Sequence, residues 1–182
     1  MTETLQSIVA LQKEEPEVEQ RVTLLTFSSN KLNYVFDNTP ASQITSTEVP
    51  YHPNGCTPLY DAIGNSISKV YAACAEDEVA IVTIITDGEE NASREFQLSD
   101  VKRLIEKQRK AGWTVALIGT DNLDVKGMAH SMAIDDHLTF HQDAETTARA
   151  FSVERKARKR ALKSIMETGC APCEAFFEND KV

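Results

Sequence analysis

A chain of 182 residues, 41% hydrophobic and 26% charged, is long enough for one ordinary domain core with a short appendage and has the balance of a soluble globular protein. The formal net charge of −9 argues against a general nucleic-acid binder, because an acidic surface repels a polyanion, and it agrees with a divalent-cation site as well as with plainly solvated carboxylates. No apolar run reaches the ~18 residues of a membrane span, and the opening MTETLQSIVALQKEEPE has neither the basic start nor the long apolar stretch of a signal peptide.

Of the four cysteines, Cys56 and Cys74 fall far apart in the main domain and Cys170 and Cys173 near the end, which is no disulfide framework and leads us to expect a reducing cytoplasmic setting. The first segment predicts an amphipathic helix, with Leu5, Ile8 and Val9 on one face and Pro16 ending it. RVTLLTF (21–27) is apolar on both faces, as a buried strand is. After the polar turn Ser28-Ser29-Asn30-Lys31, the run LNYVF (32–36) alternates like a half-buried edge strand, so the pair predicts a hairpin. Pro40, Pro50, Pro53 and Gly55 among polar residues make 37–56 a long loop.

Thr57-Pro58 predicts a helix start, with Thr as N-cap and Pro at the first helical position. Leu59, Ala62, Ile63, Ile67, Val70, Tyr71 and Cys74 then recur with helical period. VAIVTIIT (79–86) has the continuous β-branched pattern of a central parallel strand covered on both faces, and it stops at Asp87-Gly88. Ser99 is expected to cap the next helix, with Val101, Leu104, Ile105 and Gln108 inward and Gly112 at its end. WTVALIG (113–119) is a third strong strand, followed by a short helix over about 124–132, a small strand LTF (138–140) and a long helix over about 144–167. Strands alternating with helices predict an α/β fold with a mostly parallel sheet and helices on both faces, in one domain over 1–168 with 169–182 as a flexible tail.

In such a sheet, ligands bind outside the carboxyl ends of the strands. Residues 55–63, with the hydroxyl of Thr57, and residues 86–91, with the carboxylate of Asp87, fall there. Mg²⁺ takes near-octahedral oxygen ligands and keeps several waters, so one hydroxyl and one carboxylate supply part of a shell. Singly, Thr57 reads more readily as a helix cap and Asp87 as a turn former beside Gly88, since caps and Asp-Gly turns are common; it is their joint occurrence, in this order in an α/β pattern, that points to a site.

The segments NGCTPLYDAIGNSI (54–67) and VTIITDGEENAS (82–93) together resemble the second and third parts of the metal-ion-dependent adhesion site of von Willebrand factor type A domains, with the hairpin before them and WTVALIGTD after them in family order. The resemblance covers about residues 3–150. It implies a three-layer, Rossmann-like fold with Mg²⁺ at the top of the sheet, held by Thr57 directly and by Asp87 directly or through water, and completed by a carboxylate of a protein partner. The family's first motif, D-x-S-x-S at the end of the first strand, is missing. The nearest approach, Asp37-Asn38-Thr39-Pro40-Ala41, follows the wrong strand. The chain opens instead on what resembles the family's first helix, with Met1 where a methionine often follows that motif, so the sequence is expected to start just after it; a degenerate member is the alternative. Loss of the motif implies that Mg²⁺ binds weakly or not at all. Loss of its strand implies that 21–27 and 79–86 stand beside a gap or collapse together.

Other constellations carry less. Cys170-Ala171-Pro172-Cys173 follows the last helix, without the strand-to-helix setting of a redox motif or a second pair for zinc, and is expected to lie in an exposed tail. His137 and His141 are four apart, but on a strand that spacing does not bring two rings together. Arg155, Lys156, Arg158, Lys159, Arg160 and Lys163 read as a solvated helix face, with docking of an acidic partner or nucleic acid as the sharper alternative. The expectation is therefore a protein-interaction module and not an enzyme, bound neither to membrane nor to nucleic acid. The alternatives are a metal-dependent hydrolase or phosphotransferase using Asp87 and Glu89, or a non-functional fragment of a longer reading frame.

Overall fold

In the computed structural model the described residues are 1–29, 31–51, 55–169, 172 and 175–177. In chain order they form α1 (Thr2–Glu14), the strands β1 (Arg21–Ser28) and β2 (Lys31–Pro40), a single 3₁₀ turn (Ala41–Gln43), α2 (Leu59–Ala73), β3 (Ile81–Thr86), α3 (Leu98–Lys110), β4 (Thr114–Thr120), α4 (Val125–Ser131), β5 (Asp136–Phe140) and α5 (Ala144–Thr168). No helix among them is long and apolar enough to cross a membrane.

The β-branched runs form a parallel sheet in the order β3-β4-β5, with Ile84 opposite Leu117 and Ile118 opposite Leu138. Its two faces are covered by different helices, as successive side chains on a strand point opposite ways. Ile84 of β3 and Val115 and Leu117 of β4 pack with Leu59, Ile63 and Ile67 of α2 and with Val101 and Ile105 of α3. On the other face, Ile81, Ile85, Ala116, Ile118 and Leu138 meet Val153, Ala157 and Ala161 of α5. The fold is thus mixed α/β with a three-stranded parallel sheet.

The hairpin is a second, separate sheet. β1 and β2 pair antiparallel, Leu25 opposite Tyr34 and Thr26 opposite Asn33, with an irregular register around Leu24. α1 covers it through Leu5, which packs with Val22, Ala41 and Ile44. α2 holds it from its own side, since Lys69 pairs with Asp37 at 3.0 Å and lies 4.8 Å over the Tyr34 ring. Phe27 of β1 also reaches the core cluster that contains Ile84 and Leu59. The hairpin and the parallel sheet are therefore separate sheets, with no ladder between them among the described residues.

Several local expectations need correction. Thr57 makes no side-chain cap; α2 starts at Leu59 with Pro58 as the boundary residue. Ser99 is not the cap of α3. Gln97 is the boundary residue, and its N–H donates to Asp100 Oδ2 at 3.1 Å. β2 runs on to Pro40, so the loop begins later than residue 37. Arg158 does not belong to a solvated basic face: it is buried, and its guanidinium donates to Glu154 Oε1 at 2.7 and 2.9 Å and to Thr83 Oγ1 at 2.9 Å. Of its neighbours, Lys159 pairs with Glu14 at 2.7 Å and Lys163 with Glu167 at 3.7 Å.

The chain after α5 is anchored where it is described. Phe176 and Phe177 are buried in the α5-side cluster, their N–H groups donate to Asp136 at 2.7 and 3.4 Å, and Arg160 donates to the Phe176 carbonyl. Cys170 and Cys173 lie outside the described residues.

Candidate functional site

A cleft of 320 Å³ opens at the carboxyl ends of β1 and β3. Phe27 and Ser28 line it from β1, Ile85 and Thr86 from β3, Asp87 and Gly88 from the turn that follows, and Tyr51, Gly55, Cys56 and Thr57 from the long loop. The two residues singled out from sequence thus share one cavity at the end of the sheet where ligands of α/β proteins bind.

The loop before α2 is tied down from both sides. The Thr57 N–H donates to Asn91 Oδ1 at 2.7 Å and Asn91 returns its own N–H to the Thr57 carbonyl at 3.1 Å. From the hairpin, the Ser29 N–H donates to the Cys56 carbonyl at 2.8 Å. A helix start leaves its first N–H groups without intrahelical partners. Here the segment after β3 supplies them: Glu90 Oε2 accepts from the Tyr60 N–H at 2.9 Å and Ser93 Oγ from the Asp61 N–H at 3.0 Å. That is why Thr57 need not cap, and among the described residues its hydroxyl makes no hydrogen bond.

Asp87 is equally uncommitted. The turn beneath it is closed by Thr86, whose Oγ1 donates to the Gly88 carbonyl at 2.8 Å and accepts the Gly88 N–H at 3.2 Å. The exposed Asp87 carboxylate has no hydrogen-bond partner among the described residues, while its charge helps burial to push the Tyr51 phenol up. Gly88 lies close to the Thr57 side chain: a Cβ there would stand 2.6 Å from Thr57 Oγ1, so a larger residue would make that hydroxyl shift.

Two carboxylates carry the framework, a role that the sequence reading assigned to neither. Asp61 is buried on α2, where it accepts the N–H groups of Arg94, Glu95 and Phe96 at 2.8–2.9 Å. Burial raises its pKa, but those three donors outweigh burial and leave it below the ordinary value. Glu90 behaves alike: burial raises it, and bonds from the Ser93 hydroxyl and the N–H groups of Ser93, Tyr60 and Ala92 bring it below the usual range. The signal for Asp61 was a carboxylate next to Ala62 and Ile63 on the apolar stripe; Glu90 had no such mark.

Glu89 is exposed on the same segment and does not line the cleft. His137 contacts the Asp135 carbonyl and His141 the Asp121 carboxylate, so the two do not meet. No group of three or more His, Cys, Asp or Glu side chains suited to a metal ion occurs among the described residues. A search of protein-family models gives no match to this chain, and a search of curated proteins gives none either.

Proposed function

We propose that the chain is a protein-interaction module of von Willebrand factor type A kind, a three-layer fold with an incomplete Mg²⁺-dependent adhesion site, and that it acts by binding rather than by catalysis. The observation that carries this reading is the pairing of the uncommitted Thr57 hydroxyl and Asp87 carboxylate in one cleft at the sheet's carboxyl end. Structural roles open to both, the helix cap and the turn bond, are filled by Glu90, Ser93 and Thr86 instead.

Two oxygen donors fit a hard cation but supply a small part of its shell, leaving the rest to water and to a partner's carboxylate. Mg²⁺ is therefore expected to bind this chain weakly or not at all. Calorimetric titration with Mg²⁺ checks this; tight, stoichiometric binding that survives Asp87→Ala overturns the assignment. Binding and catalysis are separated by incubation with a generic phosphoester and Mg²⁺. No turnover is expected, and turnover lost in Asp87→Ala replaces the module by a metal-dependent hydrolase.

A further inference from the structure

Residues 175–177 form neither helix nor strand, yet Phe176 and Phe177 are only 5% and 8% exposed. Their rings meet edge to face with centroids 5.0 Å apart. They belong to the cluster of Ala116, Ile118 and Leu138 from the sheet and Val153, Ala157 and Ala161 from α5. Ala157 and Ala161 stand four apart on one helix face, where side chains so small leave a recess that rings can fill.

The backbone of the pair is gripped as well as the rings. The Phe176 N–H donates to Asp136 Oδ1 at 2.7 Å, and the Phe177 N–H donates to the same oxygen at 3.4 Å. From α5, Arg160 donates to the Phe176 carbonyl at 3.1 Å, the acceptor that lies between those two donors in the chain. A carboxylate and a guanidinium thus read main-chain groups that every peptide carries, while the recess selects for rings. Burial holds the Asp136 carboxyl above its ordinary range, and the two N–H groups and the charge of Arg109 offset that only in part. A carboxylate kept at such a cost is commoner where something is bound than where a core is merely filled. Asp136 opens β5, so the recess lies at the opposite end of the sheet from the cleft that holds Thr57 and Asp87.

We propose that this recess is a binding site for an extended partner segment carrying two adjacent aromatic residues, and that Phe176 and Phe177 occupy it as a built-in competitor. The groups present set the partner's chemistry: two successive N–H groups for Asp136, the carbonyl between them for Arg160, and two rings for the recess. The occupant now seated is held by three main-chain bonds and two rings, without a strand ladder, so a segment of the same kind can replace it. Neither Thr57, Asp87 nor a cation takes part.

Hydrogen exchange on the intact chain tests this, with the amides of its own Phe176 and Phe177 as the readout. The probe is a blocked synthetic peptide, Glu-Ala-Phe-Phe-Glu, supplied in large excess. Two controls are compared with it, one with Ala in place of both Phe residues and one N-methylated at the first Phe, which removes the N–H that Asp136 would take. The parent peptide is expected to quicken exchange of the chain's own two amides about tenfold once it stands at about ten times its Kd for the emptied site. Amides of β3 and β4 should keep their protection. The N-methyl peptide should act about tenfold more weakly, as loss of a hydrogen bond to a charged acceptor warrants, and the Ala peptide should not act at all. Only the guest changes, so a misfolded variant cannot imitate the result. Unchanged exchange at the highest peptide concentration makes Phe176 and Phe177 a fixed part of the core and overturns the proposal. Equal action of either control overturns it too, as does quickening that spreads to β3 and β4 and so reports unfolding. Dimerisation without peptide that Phe176→Ala abolishes assigns the recess to a second copy and overturns the partner.

Discussion

At the scale of residues, the site separates groups that hold the structure from groups that are left free. Thr57 and Asp61 stand four apart and do opposite things: the Thr57 hydroxyl has no hydrogen bond among the described residues, and the Asp61 carboxylate takes three backbone N–H groups. Thr57→Ala should therefore lower stability by less than about 0.5 kcal/mol, where loss of a capping threonine costs about 1 kcal/mol. Asp61→Ala strands three buried donors and should cost about 3 kcal/mol. Urea unfolding of both variants checks the contrast, and a Thr57→Ala cost near that of a lost cap returns Thr57 to a structural role. That Thr57 and Asp87 share one cleft was legible in the sequence, because a hydroxyl before a helix and a carboxylate after an apolar strand fall at the carboxyl ends of the strands of a parallel sheet. The bonds that release them from structural duty were not legible. Glu90 is 30 residues from Tyr60 and Ser93 is 32 from Asp61, distances over which a local pattern says nothing.

At the scale of elements, α2, β3 and β4 were readable as helix and strands because burial imposes a period on each: 3.6 residues for a helix packed on one side, a continuous run for a strand covered on both faces. The central place expected of 79–86 needs correction, since β3 is an edge strand in the order β3-β4-β5 and β4 is the central one. The ends of the elements were less so. Pro58 marks the start of α2 to within one residue, standing at the N-cap rather than at the first helical position, and the first N–H groups of the helix are met by the segment after β3 rather than by an N-cap side chain. α5 hid its polar interior for another reason: a basic run looks the same whether a member turns outward or, like Arg158, inward to a buried acid. The attachment of α2 to the segment after β3 is also sensitive to pH. Asp61 and Glu90 are held below their ordinary pKa values, so the stability they contribute is fully present above the range of unfolded carboxylates. It is lost as pH falls through their lowered folded values. Stability should be level down to about pH 5 and decline steeply only below about pH 4. Asp61→Asn, tested by acid titration of the unfolding transition, should make that decline shallower. A wild-type decline that begins near neutrality would assign the acid sensitivity to other groups.

At the scale of the whole molecule, the separation of the two sheets and the small ligand set proposed for Mg²⁺ would share one remedy. Among the described residues β1 and β3 each have one ladder partner, and their carboxyl ends line the cleft with Thr57 and Asp87. A strand joined ahead of α1, apolar on both faces and ending in D-x-S-x-S, should therefore change stability and binding together. Stability rises because the strand pairs two orphaned edges and shields the half-buried side chains of β3, at about 25 cal/mol for each Å² of apolar surface removed from water. Binding appears because the added aspartate and serines would stand beside Thr57 and Asp87, and a Mg²⁺ held largely by hydroxyls and water stays electrophilic enough to accept a partner's carboxylate. The expected result is a higher melting temperature, with capture of a carboxylate-bearing protein partner that depends on Mg²⁺. In the extended chain, Thr57→Ala and Asp87→Ala should each abolish capture and leave the melting temperature nearly unchanged, because neither side chain holds structure. The two effects can fail separately. A higher melting temperature with capture undiminished in excess EDTA keeps the strand gap and refutes the metal bridge, moving the contact to a surface such as the exposed basic residues Arg155 and Lys156 of α5. No rise in melting temperature, with β1 and β3 amides exchanging as before, refutes the gap itself.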